Sequence, residues 1–516
     1  MFTRTLSLSL VLLAAATAAA QEKEGVSLTI YSTASPGAVP PELYQPALRR
    51  AHGQYSDVLV PGYAQVRQQR RVPIGSGQSP LRFTDVAALI EPTTVMFESL
   101  TDAAGTTVLE QNFEFDLVSA DKLLERFLDR PIRVVYPRTD GGEPERVSGK
   151  LLSARPGQLI LMTDNKDQPV QILPTSDARL GLSELPGGLI TRPTLVWLLN
   201  SATGGDQLVR VTYQTSGITW WADYNAVFAE DARDANKGSL DLGAWVSILN
   251  GSGANYPDAA LKLVAGDVQR APQAMPSRRA FGGGVAANEA LSAPQFQEKA
   301  FFEYHLYTLQ RRTTLPDNST KQIELFPTRR NIPCERVYVY YGMPTDGWGY
   351  GGPMVDAQLG VPMNKKVDVY VRFVNDEASG LGMPLPSGRV RVNKLDPSDN
   401  TLEFIGENVL DHTPRREKVL LKLGSAFDVV GERKQTDFQY NESRRRIDES
   451  FEIRVRNRKQ EPVRVIVKET LFRWSGWEIT KKSTNFDKID YRTIHFPVDV
   501  APDKEVVVTY SVRYEW

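Results

Sequence analysis

Residues 451–467, FEIRVRNRKQEPVRVIV, decide the fold class of this 516-residue chain. Apolar and charged side chains alternate from Phe451 to Arg456, residues 457–462 have the composition of a turn, and the alternation resumes at Val463. A period of two, with β-branched and aromatic residues, is the pattern of a strand with one buried face. The stretch therefore predicts two strands, and half-buried strands need a second layer to pack against.

The same pattern recurs in both directions along the chain. It is clear in residues 367–373 and in residues 506–514 at the end of the chain. Three alternating strands also run into an asparagine and then into a turn that contains proline, which predicts hairpins built on one plan. Their spacing is irregular, so the chain is not a solenoid. The asparagines are Asn250, Asn375 and Asn457, and the prolines are Pro257, Pro384 and Pro462.

One helix interrupts the strand pattern, at residues 119–129. Ser119 can cap its start and Pro131 ends it, while one apolar face is formed by Leu123, Leu124, Phe127 and Leu128. Short strands with tight polar turns follow it, which predicts a small SH3-like or Sm-like barrel. The fold class is therefore all-β, mainly antiparallel and multi-domain, with β-sandwiches, this small barrel and one short helix.

The first twenty residues have the anatomy of a secretory signal peptide. Arg4 gives the positive start, residues 6–16 form a short apolar run, and small residues lead to cleavage near Ala20. The run is shorter than the roughly 20 apolar residues that span a bilayer, so no transmembrane span is expected. We predict five segments: signal peptide 1–20, N-terminal β module 21–118, helix plus small β-barrel 119–186, central β-sandwich 187–362 with a flexible excursion at 271–294, and C-terminal β-sandwich 363–516.

Composition restricts the location and the partners. Cys334 is the single cysteine, so no intrachain disulfide forms. A large exported protein with so little cysteine fits a bacterial periplasm, or secretion from bacteria, better than a eukaryotic extracellular space. The net charge is −1 at pH 7, so the chain has no general attraction for nucleic acid.

Seven stretches together resemble a known family: residues 213–220 with 222–224, 261–268, 385–392, 404–407, 411–414, 427–437 and 477–479. Residues 56–100, with 66–71 and 81–86, also resemble the N-terminal β module of that family. They resemble domain of unknown function 4139, a family of exported bacterial proteins related to the mucoidy-inhibitor-like proteins. The resemblance covers most of the mature chain, with departures at residues 36–53 and in the loop at Gly282. It implies a β-rich cell-envelope protein, and it brings no catalytic residues.

Motifs for catalysis, cofactors and metals are missing from the sequence. The four histidines form no H-E-x-x-H pattern, and there is no G-x-S-x-G elbow or phosphate-binding loop. We expect a turn role for His412 and a buried apolar role for Cys334. Asp396 and Glu407 fit the ends of a calcium-loop template, but Thr401 stands where that loop needs glycine, so a hairpin turn is favoured. No cofactor and no metal site is expected.

Two hypotheses for function remain. The favoured one is a non-enzymatic envelope protein that binds a protein or polysaccharide through loops, because rigid sheets commonly carry binding loops. Trp348 and Tyr350, in the glycine-rich stretch 341–361, are the candidate ligand-binding residues. The alternative is an envelope glycan hydrolase with paired carboxylates, which lie about 5–9.5 Å apart in such enzymes.

Overall fold

A computed structural model describes residues 24–31, 39–44, 60–114, 120–137, 143–183, 192–266, 296–301, 304–345, 351–361, 363–396 and 398–516. Strands make up 65% and helical residues 3% of the structure. The all-β, mainly antiparallel, multi-domain prediction is therefore confirmed. In the part of the chain that the structure describes, no helix has the length and apolar character needed to cross a membrane.

The strands are β1 Gly25–Tyr31, β2 Tyr63–Ile74, β3 Gly77–Thr84, β4 Ile90–Ser99, β5 Thr106–Glu114, β6 Pro131–Tyr136, β7 Glu145–Arg155, β8 Gln158–Met162, β9 Val170–Pro174, β10 Arg179–Gly181, β11 Thr194–Ser201, β12 Gly205–Ser216, β13 Ile218–Glu230, β14 Lys237–Asn250, β15 Tyr256–Ala265, β16 Phe296–Phe301, β17 Tyr304–Leu309, β18 Thr313–Leu315, β19 Ser319–Tyr341, β20 Lys366–Val374, β21 Gly388–Leu395, β22 Leu402–Leu410, β23 Lys418–Asn441, β24 Arg446–Asn457, β25 Val463–Thr470, β26 Trp477–Lys482, β27 Asp487–Lys488, β28 Thr493–Val500 and β29 Glu505–Glu515. The helices are α1 Pro41–Tyr44 and α2 Ala120–Arg126, and a 3-10 turn spans Ala357–Gly360.

The chain forms two compact units. Unit 1 comprises Met1–Ser27, Val66–Val86 and Pro92–Tyr213, and unit 2 comprises Leu28–Gln65, Ala87–Glu91 and Gln214–Trp516. Residue 363 is where the sequence places the start of the C-terminal sandwich. One sheet of unit 2 contains strands from both sides of that residue. The domain boundaries drawn from the sequence stay predictions.

Unit 1 contains the helix and the small sheet that follows it. The five strands run in the order β10-β6-β7-β8-β9. Leu124 of α2 and Phe127 directly after α2 pack on their buried face. The sequence predicted a barrel, whereas the described strands form an open sheet, because β9 and β10 are short and largely exposed edges. Leu128, expected on the apolar face, is 43% exposed, since the helix ends before it.

Unit 2 is organised around a long antiparallel meander. Its strand order is β13-β14-β19-β20-β23-β24-β29-β26, with β21 and β22 continuing the sheet beyond β13. The alternation seen in the sequence is present: Phe451, Ile453 and Val455 of β24 are buried, and the charged residues between them face outward. These side chains belong to the core that β25, β28 and β29 also fill.

Three modules of four strands repeat within unit 2: β14-β15-β18-β19, β20-β21-β22-β23 and β24-β25-β28-β29. In each module the first strand pairs antiparallel with the fourth. The second strand pairs antiparallel with the third. The three asparagine turns therefore share one plan, as predicted, but the prediction that they form hairpins is wrong. The strand after each turn pairs with a strand other than the one before it, and Pro257 lies within β15.

An asparagine is the last residue of the first strand in two modules and directly follows that strand in the module of β20, and each of the three is buried. In the third module, the Asn457 side-chain NH2 donates to the carbonyls of Glu461, Val500 and Ala501 at 2.8–3.2 Å. Equivalent carbonyl sets surround the other two. Asn250 donates to Ala254, Leu315 and Pro316, and Asn375 donates to Met383, Thr413 and Pro414. Each asparagine thus ties the turn after the first strand to the turn before the fourth.

Candidate functional site

A depression of about 310 Å³ opens on unit 2, and we call it the aromatic cleft. Strands β13, β19, β20, β21, β22 and β23 contribute to its walls. Its lining combines aromatic rings with charged groups, a pairing found in ligand sites. The lining residues are Phe228, Glu230, Arg336, Tyr338, Val369, Lys394, Ile405, Leu423, Gly424, Ser425, Ala426, Phe427 and Lys459.

Phe427 is the most exposed large apolar residue among those described, with 93% of its surface in solvent. It lies on a bulge of β23. Ser425 pairs with Asp368 of β20 and Val430 pairs with Lys366, so four residues of β23 stand opposite the single Val367. Pairing with β24 begins only at Val429. Because bulges redirect side chains, the Phe427 ring faces solvent although its position is in phase with buried residues of β23.

An ionic network lies at the floor and rim of the cleft. The Arg336 guanidinium, whose side chain is 8% exposed, donates to Glu230 and to Glu461, both at 2.6 Å. Lys394 reaches Glu230 at 2.9 Å and Lys459 reaches Glu461 at 2.8 Å. The two lysines remain partly exposed, so they keep N–H donors that can face a ligand.

The Tyr338 ring connects the charges with the aromatic part of the cleft. Arg336 lies 5.5 Å and Lys459 lies 5.9 Å from the ring centroid, within the range of cation–π attraction. Exposed apolar side chains, Leu402 and Phe404, lie on β22 beside Ile405 of the cleft. The cleft therefore offers an open aromatic surface next to fixed charges.

A second feature is a pair of buried ion pairs in the third module. Arg433 donates to Glu469 at 3.0 Å, and Arg473 donates to Glu449 at 2.8 Å. The Tyr510 hydroxyl also donates to Glu469, at 2.5 Å. All four charged side chains are buried, and a buried ion pair is stable only where further hydrogen bonds satisfy it.

This ionic cluster anchors the connection between β19 and β20. Arg433 donates to the carbonyl of Gly360 at 2.8 Å, and Arg473 donates to the carbonyls of Met354 and Asp356 at 2.9 and 2.8 Å. Trp348 and Tyr350, the candidate residues from the sequence, belong to this connection but lie outside the described residues. So does the excursion at 271–294.

Three other residues singled out in the sequence take structural roles. The His412 ring Nδ1 accepts a hydrogen bond from the backbone N–H of Ser387 at 3.1 Å, which confirms the turn role. Cys334 is buried, and burial raises the pKa of its thiol to about 12. Asp396 accepts from the backbone N–H of Ser398 at 2.8 Å. It lies in the hairpin turn between β21 and β22 that the sequence favoured over a calcium loop.

A second cleft, of about 650 Å³, includes Cys334 and carries acidic and basic residues in equal number. Three described carboxyl groups have a pKa raised by burial: Asp223, Glu324 and Glu449. None of the three lines this cleft or the aromatic cleft. Among the described residues, no group of three or more His, Cys, Asp and Glu side chains is arranged to hold a metal ion.

Sequence reasoning missed Phe427 and the cations around it. Phe427 falls in phase with Val419, Leu421 and Val429 on β23, so alternation assigns it to the core. The bulge that exposes it has no signature in the order of apolar residues. Arg336, Lys394 and Lys459 come from three strands or turns that are distant in sequence, and only the fold brings them together.

The fold and the cleft define an all-β protein with an open, charged aromatic site. Comparison with protein-family models, with curated proteins and with solved structures gives no match to the chain.

Proposed function

We propose that the chain is an exported cell-envelope protein that binds a polysaccharide or protein partner without catalysing a reaction. The observation that carries this proposal is Phe427, an aromatic ring 93% exposed on a bulge over a charged cleft. Exposing such a ring without a partner is unfavourable, and exposed apolar surface of this kind is typical of interaction sites.

The placement of the carboxyl groups supports binding over catalysis. A catalytic carboxyl with a tuned pKa must reach its substrate. The described carboxyls with raised pKa lie away from both clefts. In the aromatic cleft, Glu230 is held by Arg336 and Lys394, and Glu461 beside it has a pKa lowered by Lys459 and Arg336 despite its burial. These carboxylates position the cations.

The resemblance to domain of unknown function 4139 supports the same proposal. Two of the stretches that carry it, residues 404–407 and 427–437, supply Ile405 and Phe427 to the cleft. We propose membership of that family on these grounds. We also propose a periplasmic or secreted location, with cleavage near Ala20. Intact-mass measurement of the exported protein tests the location, and a chain that retains Met1 contradicts it.

The binding test compares two exposed aromatic residues. Purified mature protein is incubated with envelope polysaccharides and with envelope protein extracts, and both retention and product release are measured. Phe427→Ala should reduce retention strongly, whereas Tyr491→Ala, at a position 58% exposed and outside the cleft, should not. Release of products, or equal retention by both variants, contradicts the proposal. Trp348→Ala tests the connection loop as a further contact.

One observation favours a hydrolase as the second candidate. Asp223 pairs with Trp245, and Trp245 pairs with Glu324, so the three side chains form a row across β13, β14 and β19. Two strand spacings put the acidic Cα atoms roughly 10 Å apart, a spacing across which two carboxyl groups can reach the separation used by inverting glycosidases. Glycan cleavage that Glu324→Gln and Asp223→Asn each abolish would establish this function.

A further inference from the structure

We infer that the aromatic cleft is specific for a single carboxylate on a ring with an apolar C–H face, and that its ligand is an acidic polysaccharide built with carboxylated sugars. This inference rests on the proposed binding function and specifies the chemical class of the ligand. It follows from the charge balance of the cleft, from the donors that its cations leave free, and from the position of the Phe427 ring.

The charge balance favours one negative charge. Three cations, Arg336, Lys394 and Lys459, are matched by two carboxylates, Glu230 and Glu461. The network therefore carries one surplus positive charge in a partly desolvated depression. Charges in such places interact more strongly than on an open surface, so one anionic group completes the network and a cation is repelled.

The free donors can recognise the anion. Lys394 is 38% exposed and Lys459 is 26% exposed. Each ammonium has three N–H donors, and the structure shows one carboxylate partner for each. The buried Nε of Arg336 has no hydrogen-bond partner among the described residues. That atom has almost no accessible surface, so the donors open to an entering acceptor are those of the two ammonium groups, next to the charge of Arg336.

The ring favours a sugar over an acidic side chain of a protein. Phe427 has no hydroxyl group, so it offers a flat apolar surface for stacking, and it lines the same cleft as the two lysines. A carboxylated sugar presents a flat C–H face and a charge on one rigid ring, so both contacts form with little loss of conformational freedom. A glutamate or aspartate side chain offers the charge without the flat face.

The test uses two matched ligands. Titration calorimetry measures binding of a galacturonate oligosaccharide and of its carboxyl-reduced galactose counterpart to the mature protein. The acidic ligand should bind more tightly, and its affinity should fall with added salt. Lys394→Gln and Lys459→Gln should each weaken the acidic ligand about tenfold, as expected for losing one hydrogen bond to a charged group, and weaken the neutral ligand much less.

Three further variants separate the outcomes. Lys150→Gln, at a lysine paired with Asp129 in unit 1, should leave both ligands unaffected, and Lys394→Arg should restore the acidic preference if Lys394→Gln is poorly folded. Phe427→Ala should weaken both ligands. Equal affinity for both sugars, with loss in Phe427→Ala, overturns the inference but supports the proposed function.

The remaining outcomes bear on the proposed function or on the chemical class of the ligand. Binding of neither sugar overturns the inference, whereas sugar binding with the same affinity in Phe427→Ala argues against the proposed function itself. Lysine-dependent binding of poly-glutamate without binding of galacturonate assigns the cleft to an acidic protein and overturns the sugar assignment.

Discussion

At the scale of single residues, the buried arginines of the third module show how a side chain can stabilise a connection at long range in sequence. The Arg473 side chain is 0% exposed and forms an ion pair with Glu449. It also donates to two carbonyls of the β19–β20 connection. A buried charge left without its partner costs about 3–5 kcal/mol. Arg433 repeats the arrangement with Glu469 and Gly360.

Replacing Arg473 should give a pH-dependent loss of stability. Burial raises the pKa of Glu449, and Arg473 opposes that shift, so Arg473→Met should raise the pKa further. A carboxyl whose pKa is raised in the folded state lowers stability as pH rises from its unfolded-state pKa to the raised value, and the loss is complete above the raised value. The variant should therefore lose more thermal stability at pH 8 than at pH 5. The double variant Arg473→Met/Glu449→Gln should lose this pH dependence, and a pH-independent defect in the single variant would contradict the argument.

Gly431 is required for a different physical reason, the close approach of an aromatic ring. A Cβ at this position would lie 2.1 Å from ring carbons of Tyr340, which is itself fully buried. Because packed interiors have no room to move, Gly431→Ala should destabilise by about 1–3 kcal/mol. Gly352→Ala is the control, since its Cβ would meet nothing within 4 Å. Chemical denaturation measures both, and equal midpoints would refute the packing argument.

At the scale of the element, each buried asparagine holds two turns of its module together by hydrogen bonds. A strand that ends inside a sandwich leaves carbonyls that must find donors, and the NH2 group of Asn457 serves carbonyls from two separate turns. Its Oδ1 accepts from the backbone N–H of Lys459 at 2.9 Å. The same residue type recurs in each module because the side-chain amide supplies two donors and an acceptor at once.

Substitutions at Asn457 should separate the donors from the acceptor. Asn457→Ala should cost about 2–4 kcal/mol, since it leaves buried carbonyls without donors. Asn457→Asp keeps the acceptor but points a carboxylate at carbonyl oxygens, so it should be as unstable at pH 7 and partly recover on acidification. Urea unfolding at pH 7 and pH 4.5 measures this. If Asn457→Asp were more stable at pH 7 than at pH 4.5, the side chain would not face the carbonyl oxygens as assigned.

Elements of this fold were predictable to different degrees. Alternation identified β20, β24, β25 and β29, because a half-buried strand needs a period of two, and the shared asparagines indicated the module plan. The open sheet of unit 1 and the exposure of Leu128 were not predictable, since both depend on where a short element ends. The aromatic cleft was not predictable either, because a bulge leaves the alternation of β23 unchanged while it turns Phe427 outward.

At the scale of the whole molecule, the pairing of the flanking strands shows how firmly the ends of a long connection are held. The excursion at 271–294, predicted to be flexible, lies between β15 and β16. Both strands pair with β17: Lys262 with Thr308 on one side, and Phe296 with Leu309 on the other. The Tyr307 side chain on β17 is buried, and its hydroxyl donates to the carbonyl of Pro384 at 2.9 Å. The two ends of the connection are therefore held by one strand.

Limited proteolysis should therefore nick the chain without taking it apart. Glycine- and proline-rich connections are preferred cleavage sites, so the first cut should fall between residues 267 and 295. The ladders to β17 remain intact after such a cut, and each fragment retains the buried strands that hold it in unit 2. Two fragments should appear on a denaturing gel, whereas gel filtration should show one particle of unchanged size. Because Phe427 and its lysines lie in other modules or turns, the nicked protein should bind its ligand as the intact chain does. Fragments that separate under native conditions would show that β17 does not hold the two ends, and a first cut elsewhere would contradict the predicted flexibility of the excursion.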